Sequence, residues 1–395
     1  MTLLGENGGG KSTALQALGL LLAGPEGAGQ LTRPLGWIRN EEQVGKISTR
    51  IHQGKNDPGK YGGDKRVDRA FRVTYFMTGS QPVTIRKKTF TEPTIVENKE
   101  KRLTWLRQNA LTSKGNGWFA VGYGAFRRLT RSHQIIIPSL EPPVRFNNFI
   151  TQFDEDQPLA AFERWMVYLD YRIIKSNDDE AKRQKELGVA AINKMLPEGV
   201  TFDSVTPEGR ILFNIAGQKV PTIALSDGYR SVLALAGDLV WRLLLAFPDS
   251  QDPLTEDGVV LIDELDIHLH PLWQHDIALR LQERFPNLQF FVATHSPLIA
   301  AGAGIDALTY RFVFHEGKTV LEKVENIASL SVDRILQSDA FGLVSPFSPQ
   351  TQATIDRYDA LRRKKRRTRQ DEKELEEISP IIQMALPFSG VRATY

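Results

Sequence analysis

A glycine-rich segment near the beginning of the chain has the composition and spacing of a phosphate-binding loop. Residues 5–12 fit the pattern G-x-x-x-x-G-K-S, with a short apolar stretch before it and a helical pattern after it. Glycines allow successive backbone N–H groups to turn inward around phosphate oxygens, and the start of the following helix adds a partial positive charge. We therefore predict that this segment and the residue after it bind phosphates: Gly5, Glu6, Asn7, Gly8, Gly9, Gly10, Lys11, Ser12 and Thr13.

Two side chains of this loop have separate predicted roles. Lys11 would reach the β- and γ-phosphates of a nucleotide, and the Ser12 hydroxyl would ligate Mg²⁺. Only residues 1–4 precede the loop, so we expect either that Met1 is not the true start or that part of the pocket for the nucleotide base and of the edge sheet is missing. The alternative is a flexible glycine-rich loop without a ligand, which the strand–loop–helix context disfavours.

Two acidic residues follow an apolar run in the second half of the chain. Residues 258–262 have the pattern of a strand buried in a parallel sheet, and Asp263 and Glu264 come directly after it. Ligands gather at the carboxyl edge of such sheets. We predict that Asp263 holds Mg²⁺ and that Glu264 orients and deprotonates an attacking water, because phosphoryl transfer depends mainly on positioning. The alternative is a pair of acids that only terminates a strand.

A histidine follows the next apolar run. Residues 290–294 predict another buried strand that delivers His295 to the same edge, where its imidazole would donate to a γ-phosphate and sense its loss. Two further histidines, His268 and His270, alternate in the segment between these strands. Without a third ligand they predict local turn or dimer contacts rather than a metal site.

A third motif, Ser226-Asp227-Gly228, lies between the phosphate-binding loop and the acidic pair. It precedes a helical pattern over 232–247, so Ser226 and Gly228 would lie at a helix N-terminus that offers a hydroxyl and free N–H groups. Taken alone, the motif is an ordinary helix cap. One triphosphate does not need two such sites in a single chain, whereas two chains related by a twofold axis do. We therefore predict nucleotide contacts for Ser226, Asp227 and Gly228 across a dimer interface.

These motifs, in this order, resemble the ABC-type ATPase heads of the SMC/RecF/OLD group. The matching segments are 5–13, 225–231, 261–271 and 293–297, and residues 267–271 are similar to those of OLD-like bacterial ATPases, including the ATPases of retron, Septu and related anti-phage systems. The resemblance implies an α/β fold with a parallel core sheet, an antiparallel β subdomain and a short helical lobe. It also implies binding of ATP and Mg²⁺, a homodimer or higher oligomer, and an effector. We expect a separate nuclease as effector, since the chain itself has no nuclease motif.

The element pattern divides the chain into four predicted segments. They are an N-terminal ATPase lobe over 1–130, a helical lobe over 131–199, a C-terminal ATPase lobe over 200–345 and a charged helical tail over 346–395. Alternating apolar and polar residues in 37–90 predict the antiparallel sheet. A helical pattern over 159–196 predicts the helical lobe, and residues 200–215 predict a hairpin that leads to the Ser226 motif.

Two groups of basic residues have more than one interpretation. Arg127 and Arg128 follow a predicted strand and would contact phosphate or a partner, but a solvated arginine pair fits equally well. The tail holds a run of cations followed by acidic residues. It would either grip the phosphates of DNA or RNA or form a solvated helical hairpin whose basic and acidic arms neutralise each other. The run consists of Arg362, Arg363, Lys364, Lys365, Arg366, Arg367 and Arg369.

The composition narrows the class of protein. The chain has 395 residues, a net charge of +3 and no cysteine, which excludes disulfides, thiolate metal sites and cysteine nucleophiles. It shows no signal peptide and no apolar run of membrane-spanning length, so we expect a cytoplasmic protein without a membrane partner. We predict a Mg²⁺-dependent ATPase that dimerises around ATP and controls an effector in anti-phage defence or DNA maintenance. The alternatives are a nucleotide-gated scaffold with little turnover and the ATPase subunit of an ABC transporter.

Overall fold

The computed structural model of the chain describes residues 1–32, 34–38, 42–52, 70–85, 87–98, 119–127, 145–154, 161–325 and 327–385. The chain separates into two units, Met1–Ser329 and Leu330–Tyr395. The finer division into four segments stays a prediction.

The described residues form the following strands and α-helices. The strands are β1 (Thr2–Gly5), β2 (Val44–His52), β3 (Ala70–Thr78), β4 (Val83–Ile85), β5 (Lys88–Phe90), β6 (Ile95–Glu97), β7 (Phe119–Tyr123), β8 (Val200–Val205), β9 (Ile211–Ile215), β10 (Gln218–Pro221), β11 (Gly258–Ile262), β12 (Leu288–Ala293), β13 (Thr309–His315) and β14 (Lys318–Val324). The helices are α1 (Lys11–Leu31), α2 (Ala161–Ser176), α3 (Asp179–Met195), α4 (Asp227–Ala246), α5 (Pro271–Arg284), α6 (Pro297–Gly302), α7 (Val332–Gln337), α8 (Pro349–Arg363) and α9 (Arg369–Ala385).

A six-stranded sheet forms the centre of the first unit. Its strands lie in the order β14-β13-β1-β12-β11-β7, and every neighbouring pair is parallel except β13 and β14. The prediction of a parallel core sheet is therefore confirmed. The strand predicted over 258–262 is β11, at the same residues.

The two faces of this sheet belong to different hydrophobic clusters. Val121 and Val260 pack in the cluster that contains α4, whereas Ala120 and Leu261 pack in the cluster that contains the start of α1. Successive residues of a strand point to opposite faces, so each strand contributes to both clusters in turn. Because both faces are covered by helices, the strands read as continuous apolar runs in the sequence.

Two antiparallel sheets and a short hairpin lie in the same unit. β2, β3 and β6 form one antiparallel sheet. β2 and β3 confirm the sheet predicted in 37–90 for the part that the structure describes, whereas β6 lies beyond that range and was not predicted. β8 and β9 form the predicted hairpin, and β10 adds a third strand that was not predicted. β4 and β5 pair with each other.

The segment predicted as the helical lobe contains two α-helices and the 3-10 helix Arg145–Gln152 in its described part. α2 ends before Asn177, which has a left-handed φ of 50°, and the side chain of Asp178 then accepts from the backbone N–H of Ala181 to begin α3. Both helices pack against α4. The lobe therefore supports the helix that starts at the Ser226 motif.

The second unit contains the charged tail. Its helices α8 and α9 pack against each other as a hairpin. The turn of that hairpin holds most of the basic run predicted from the sequence. No helix in the described ranges of either unit is long and apolar enough to span a bilayer.

Candidate functional site

The carboxyl ends of parallel strands bring the predicted motifs to one edge of the central sheet. β1 leads into the phosphate loop, β12 leads to His295, and β11 leads to Asp263 and Glu264. β12 lies between β1 and β11, so the histidine follows the strand that separates the phosphate loop from the acids. β7 lies on the other side of β11 and ends just before Arg127. This edge is where open α/β sheets place their ligands.

The backbone of the phosphate loop depends on its glycines. Gly5, Gly8 and Gly10 have positive φ angles of 144°, 76° and 96°, a region that favours glycine. A Cβ at Gly5 would lie 2.9 Å from the carbonyl oxygen of Phe312, so this position also needs the missing side chain. Residues 6–8 at the apex of the loop are exposed. The loop is thus accessible to an anionic ligand.

Lys11 folds back onto its own loop. Its Nζ donates to the carbonyl oxygens of Gly5 (2.9 Å) and Glu6 (3.0 Å), and only 5% of the residue is exposed. Burial lowers the pKa of the ammonium, while the nearby carboxylates of Asp263 and Glu264 act in the opposite direction. Phosphate oxygens are charged and therefore stronger acceptors than these two carbonyls, so the bonds of Lys11 can be exchanged for bonds to phosphate.

Asp263 has the environment of a metal ligand. Its backbone N–H donates to the carbonyl of Tyr123 at 2.9 Å, and its Oδ1 is buried without a hydrogen-bond partner among the described residues. Buried carboxylate oxygens normally have a partner. No group of three or more acidic or histidine side chains in the described ranges would hold a metal unaided. Mg²⁺ usually binds through one or two side chains plus phosphates and waters, so Asp263 and Ser12 fit an ion that arrives with a nucleotide.

The loops that follow β11 and β12 are tied together by side chains. Oδ1 of Asp266 accepts from the hydroxyl of Thr294 (2.5 Å) and from the backbone N–H of His295 (3.2 Å). The hydroxyl of Ser296 donates to Oε1 of Gln274 at 2.7 Å. The backbone of His295 is thereby held in place, while its half-buried imidazole makes no hydrogen bond within the described ranges.

Arg127 is buried, which rules out the interpretation as a solvated arginine. Only 3% of it is exposed, and its guanidinium donates to the carbonyl oxygens of Gly124 (2.8 Å), Asp263 (2.5 Å) and Glu264 (2.8 Å). Burial lowers the pKa of this group to about 10, although the neighbouring carboxylates oppose the shift, so it is charged at neutral pH. Its predicted neighbour Arg128 lies outside the described residues.

The start of α4 leaves the Ser226 hydroxyl unused. Ser226 occupies the N-cap position, but its side chain makes no capping hydrogen bond, and both Ser226 and Asp227 are exposed. The carboxylate of Asp227 lies 3.4 Å from Nη1 of Arg230, one turn further along the helix. The side chain of Ser226 therefore does not act as an ordinary cap, which was the alternative interpretation of this motif.

The two alternate histidines lie between the acids and α5. The carbonyl oxygen of His268 would be 2.8 Å from a Cβ at Gly228, so the Ser226 motif and the loop after β11 touch within one chain. Nδ1 of His270 accepts from the backbone N–H of Leu272 at 3.4 Å, at the beginning of α5. These are local contacts of the kind predicted for this pair.

A buried polar network connects β7 with α4, and sequence reasoning missed it. The hydroxyl of Tyr123 (2.9 Å) and Nε of Arg242 (2.6 Å) both donate to Oδ2 of Asp238, and Arg242 also donates to Oδ1 of Asn148 (2.5 Å). Burial, together with the charge of Asp238, raises the pKa of the tyrosine well above its usual value. In the sequence, the signal of this network is limited to Asp238 and Arg242, two opposite charges four residues apart in an otherwise apolar helix pattern.

One family model matches the chain over residues 1–301, which is more than half of its length. The family is described as "AAA domain, putative AbiEii toxin, Type IV TA system". The matched range contains the phosphate loop, the Ser226 motif, the acids and His295.

Several curated proteins are similar to parts of the chain. The chain is 41% identical over 102 residues to a "Retron Vc95 probable ATPase" of Vibrio cholerae, covering 24% of this chain and 20% of that protein. It is 27% identical over 365 residues to a "Septu protein PtuA" of Bacillus mycoides, covering 91% of this chain and 43% of that protein. It is 51% identical over 77 residues to a "Retron Ec83 probable ATPase" of Escherichia coli, covering 20% and 14%. The matches thus span less than half the length of each of these relatives.

Among solved structures, SMC heads are similar to the chain at low identity. An SMC head bound to the C-winged helix domain of ScpA is 13% identical with a TM-score of 0.48, covering 83% of this chain and 91% of that one. The SMC head domain from Thermotoga maritima is 16% identical with a TM-score of 0.42, covering 82% and 89%.

Proposed function

The chain belongs to this AAA-domain family, and we propose that it hydrolyses ATP with Mg²⁺, that two copies close around the nucleotide, and that this state controls a separate effector. One observation carries the proposal. The phosphate loop, the acids and His295 lie at one sheet edge, whereas the Ser226 hydroxyl is exposed and unused by its own helix. The sheet edge and the start of α4 are two different halves of a phosphate site, and in a symmetric pair of chains each chain can supply the half that the other lacks.

Each side chain at the sheet edge has one step in the proposed reaction. Lys11 binds the β- and γ-phosphates, and Asp263 and Ser12 would hold Mg²⁺, which would supply charge to offset that of the phosphate oxygens. Glu264 accepts a proton from the attacking water, whose oxygen bonds to the γ-phosphorus while the bond to the β–γ bridging oxygen breaks. His295 donates to a γ-phosphate oxygen, where charge must be stabilised. The products are ADP and phosphate.

Pairing supplies the missing half of the site. The Ser226 hydroxyl and the free N–H groups at the start of α4 from one copy approach the γ-phosphate held by the other copy. The contact between Gly228 and the carbonyl of His268 supports this arrangement, because it joins the Ser226 motif to the loop that we expect at the dimer interface. A homodimer is the smallest such assembly, and higher oligomers can be built from it.

The names of the relatives support a place in anti-phage defence. Retron and Septu proteins are similar in sequence to this chain, although the chain spans less than half of the length of the relatives described above. The effector is a separate protein in this proposal. We expect that effector to be the nuclease.

The variant Glu264→Gln tests the reaction and the pairing together. The amide cannot accept the proton from water but keeps the shape of the side chain, so turnover should fall by about 10²- to 10⁴-fold while ATP still binds. The ATP-bound dimer should then accumulate, as measured by light scattering after size-exclusion chromatography. Glu283→Gln, which changes an exposed acid at the end of α5, is the matched control. A Glu264→Gln protein with full turnover would contradict the proposed reaction.

The same variants separate the two alternative functions. A nucleotide-gated scaffold predicts that effector output survives Glu264→Gln but not Lys11→Ala, since only binding matters. If neither change alters effector output, ATP does not drive the system. A transporter subunit predicts copurification with a membrane permease.

The second unit favours an additional role, contact with nucleic acid. α8 and α9 are joined by ion pairs between Arg357 and Glu374 (2.6 Å) and between Lys364 and Asp371 (2.6 Å). Acidic residues of α9 therefore neutralise part of the basic run. Six exposed cations in the turn and at the helix ends beside it form no ion pair with any described acidic residue. They are Arg362, Arg363, Lys365, Arg366, Arg367 and Arg369.

Arginine-rich clusters bind phosphodiester groups through paired hydrogen bonds. We expect contact with the backbone of duplex DNA without sequence preference, and binding that weakens steeply with salt. Replacing Arg362, Arg363, Arg366 and Arg367 by glutamine should reduce the slope of log affinity against log salt by about 0.9 for each lost phosphate contact, measured by anisotropy of a labelled duplex. Lys373→Gln, on the same hairpin, is the control. If affinity and salt slope stayed unchanged, the basic run would not bind nucleic acid. If the protein preferred single strands, its partner would be single-stranded nucleic acid rather than duplex DNA.

A further inference from the structure

The guanidinium of Arg127 joins three main-chain carbonyls at the carboxyl edge of the sheet. One acceptor, Gly124, lies three residues before it, and the other two are the consecutive residues Asp263 and Glu264. The arginine thus links the segment after β7 to the residues that carry the predicted metal ligand, Asp263, and the predicted catalytic base, Glu264. It does so through their backbone, not through their side chains.

The backbone of Glu264 needs such a support. Its φ is 45°, in the left-handed region that favours glycine and that other residues rarely adopt. The carbonyls of Asp263 and Glu264 lie past the end of β11. The carbonyl of Glu264 also accepts from the backbone N–H of Ile267 at 3.2 Å, so Arg127 adds a second donor to a tight turn. Two successive carbonyls that converge on one planar donor group require the chain to turn sharply between them. That turn determines where the Glu264 side chain leaves the backbone.

The exposure of Arg127 argues against direct contact with a ligand. With 3% of its surface exposed, the side chain lies beneath the site, and its Nε is buried without a hydrogen-bond partner in the part of the chain that the structure describes. Lys11 and His295 provide the cation and the donor that the phosphates require. Arg127 instead adds a fixed positive charge behind the carboxylates of Asp263, Glu264 and Asp266.

We propose that Arg127 is a positioning residue that sets the direction of the Glu264 carboxylate by holding the carbonyls of Asp263 and Glu264, and that it does not touch the nucleotide. This inference rests on the ATP hydrolysis proposed above. Arg127→Lys keeps the charge, but a single ammonium cannot bridge both carbonyls in the geometry of a guanidinium. Arg127→Met keeps much of the volume and removes the donors.

The first test compares the kinetics of these variants. We expect kcat for ATP to fall by about 10²-fold in both, because misplacing a catalytic group by about 1 Å has that effect. KM and the affinity for a fluorescent ATP analogue should stay within about threefold of the wild type, because uniform binding is untouched. Arg280→Lys is the matched control, since Arg280 also donates to a main-chain carbonyl, that of Leu196, away from these acids.

The second test does not depend on hydrolysis. Hydrogen–deuterium exchange of the nucleotide-free protein should become faster over residues 263–270 in both variants, and remain unchanged over β12. If the wild type splits no ATP, the proposed function fails, while this exchange still decides the role of Arg127. If a variant does not fold, its far-UV circular dichroism will show it, and the other variant carries the test.

A double variant provides the third test. In a Glu264→Gln background, Arg127→Lys should cause little further loss of residual turnover, because both changes act on one group. Additive losses would assign Arg127 another role. A large loss of ATP affinity with unchanged kcat would show that it contacts the nucleotide, and unchanged kinetics and exchange would overturn the inference outright.

Discussion

The two helices that begin at sequence motifs, α1 and α4, start in different ways. α1 follows Gly10, a left-handed residue without a side-chain cap, and Lys11 in its first turn is buried on the loop's own carbonyls. α4 follows Ser226, whose hydroxyl is exposed and makes no cap bond, and the cation of its first turn, Arg230, is buried with Nη1 3.4 Å from the carboxylate of Asp227. The first start can hold and neutralise a phosphate by itself, whereas the second offers dipolar donors and a cation that already has an acidic partner. The comparison suggests that α4 completes a site whose charge is supplied elsewhere.

Other helices of the chain close their starts with side chains. Asp178 caps α3 by accepting from Ala181, and Ser348 caps α8 by accepting from Thr351. Capping of this kind satisfies one of the free N–H groups of the first turn. Leaving Ser226 out of such a bond keeps both its hydroxyl and the N–H groups available for another acceptor.

Removing the charge of Lys11 at the start of α1 should have the largest effect on ATP affinity and turnover. Lys11→Ala takes away two charge-assisted bonds to phosphate, each worth about 1.5–3 kcal/mol, so ATP affinity should fall by at least about 10²-fold and turnover should disappear. Isothermal titration with a non-hydrolysable ATP analogue measures the affinity. If Lys11→Ala binds ATP normally, the phosphate loop is not the charged half of the site.

Blocking α4 should separate binding from pairing. Ser226→Arg places a bulky cation at the exposed start of α4, so the ATP-dependent dimer should be lost and turnover should fall by about 10²-fold, as for loss of a preorganised donor. Binding of ATP to one chain should change by less than about twofold, since the substitution is at the surface.

Ser331→Arg is the matched control for this experiment. Ser331 is also an exposed N-cap serine without a side-chain cap bond, at the start of α7 in the second unit. It should leave dimerisation and turnover unaltered. An ATP-dependent dimer of normal mass in Ser226→Arg would contradict the shared site.

The smallest predicted effect is the difference in local helix stability when the N-cap serine of α8 or of α4 is replaced. Ser348→Ala removes a cap bond and should lower the local stability of α8 by about 1 kcal/mol, whereas Ser226→Ala should cost α4 less than about 0.5 kcal/mol. Native-state hydrogen exchange of the first turn of each helix measures both values. Equal losses would show that the Ser226 hydroxyl does serve its own helix.

Much of the fold follows from local sequence patterns. The apolar run of β11 matches its strand because both faces of a parallel strand are buried and its ends are marked by polar residues. β10 escaped prediction because Gln218–Pro221 is half exposed and has no apolar pattern of its own, so its pairing with β9 defines it. The helices of the tail were predicted, but the pairing of Lys364 with Asp371 depends on how the hairpin closes.

The candidate site also has a part that the sequence predicts and a part that it does not. The glycine-rich loop, the acids and His295 could be recognised because each motif directly follows an apolar strand. The link from Arg127 to Asp263 and Glu264 could not, because it spans 136 and 137 residues and involves only main-chain acceptors, which any residue has. Nothing in the residue types at those positions marks a carbonyl as a partner.

Residue types and spacing alone predicted which groups would bind phosphate, hold Mg²⁺ and activate water, because those properties reside in single side chains and short loops. The tertiary structure decided that β12 lies between β1 and β11, that Arg127 is buried beneath the acids, and that the Ser226 hydroxyl is left exposed. Strand order and burial arise from packing across the whole first unit, so no short segment encodes them.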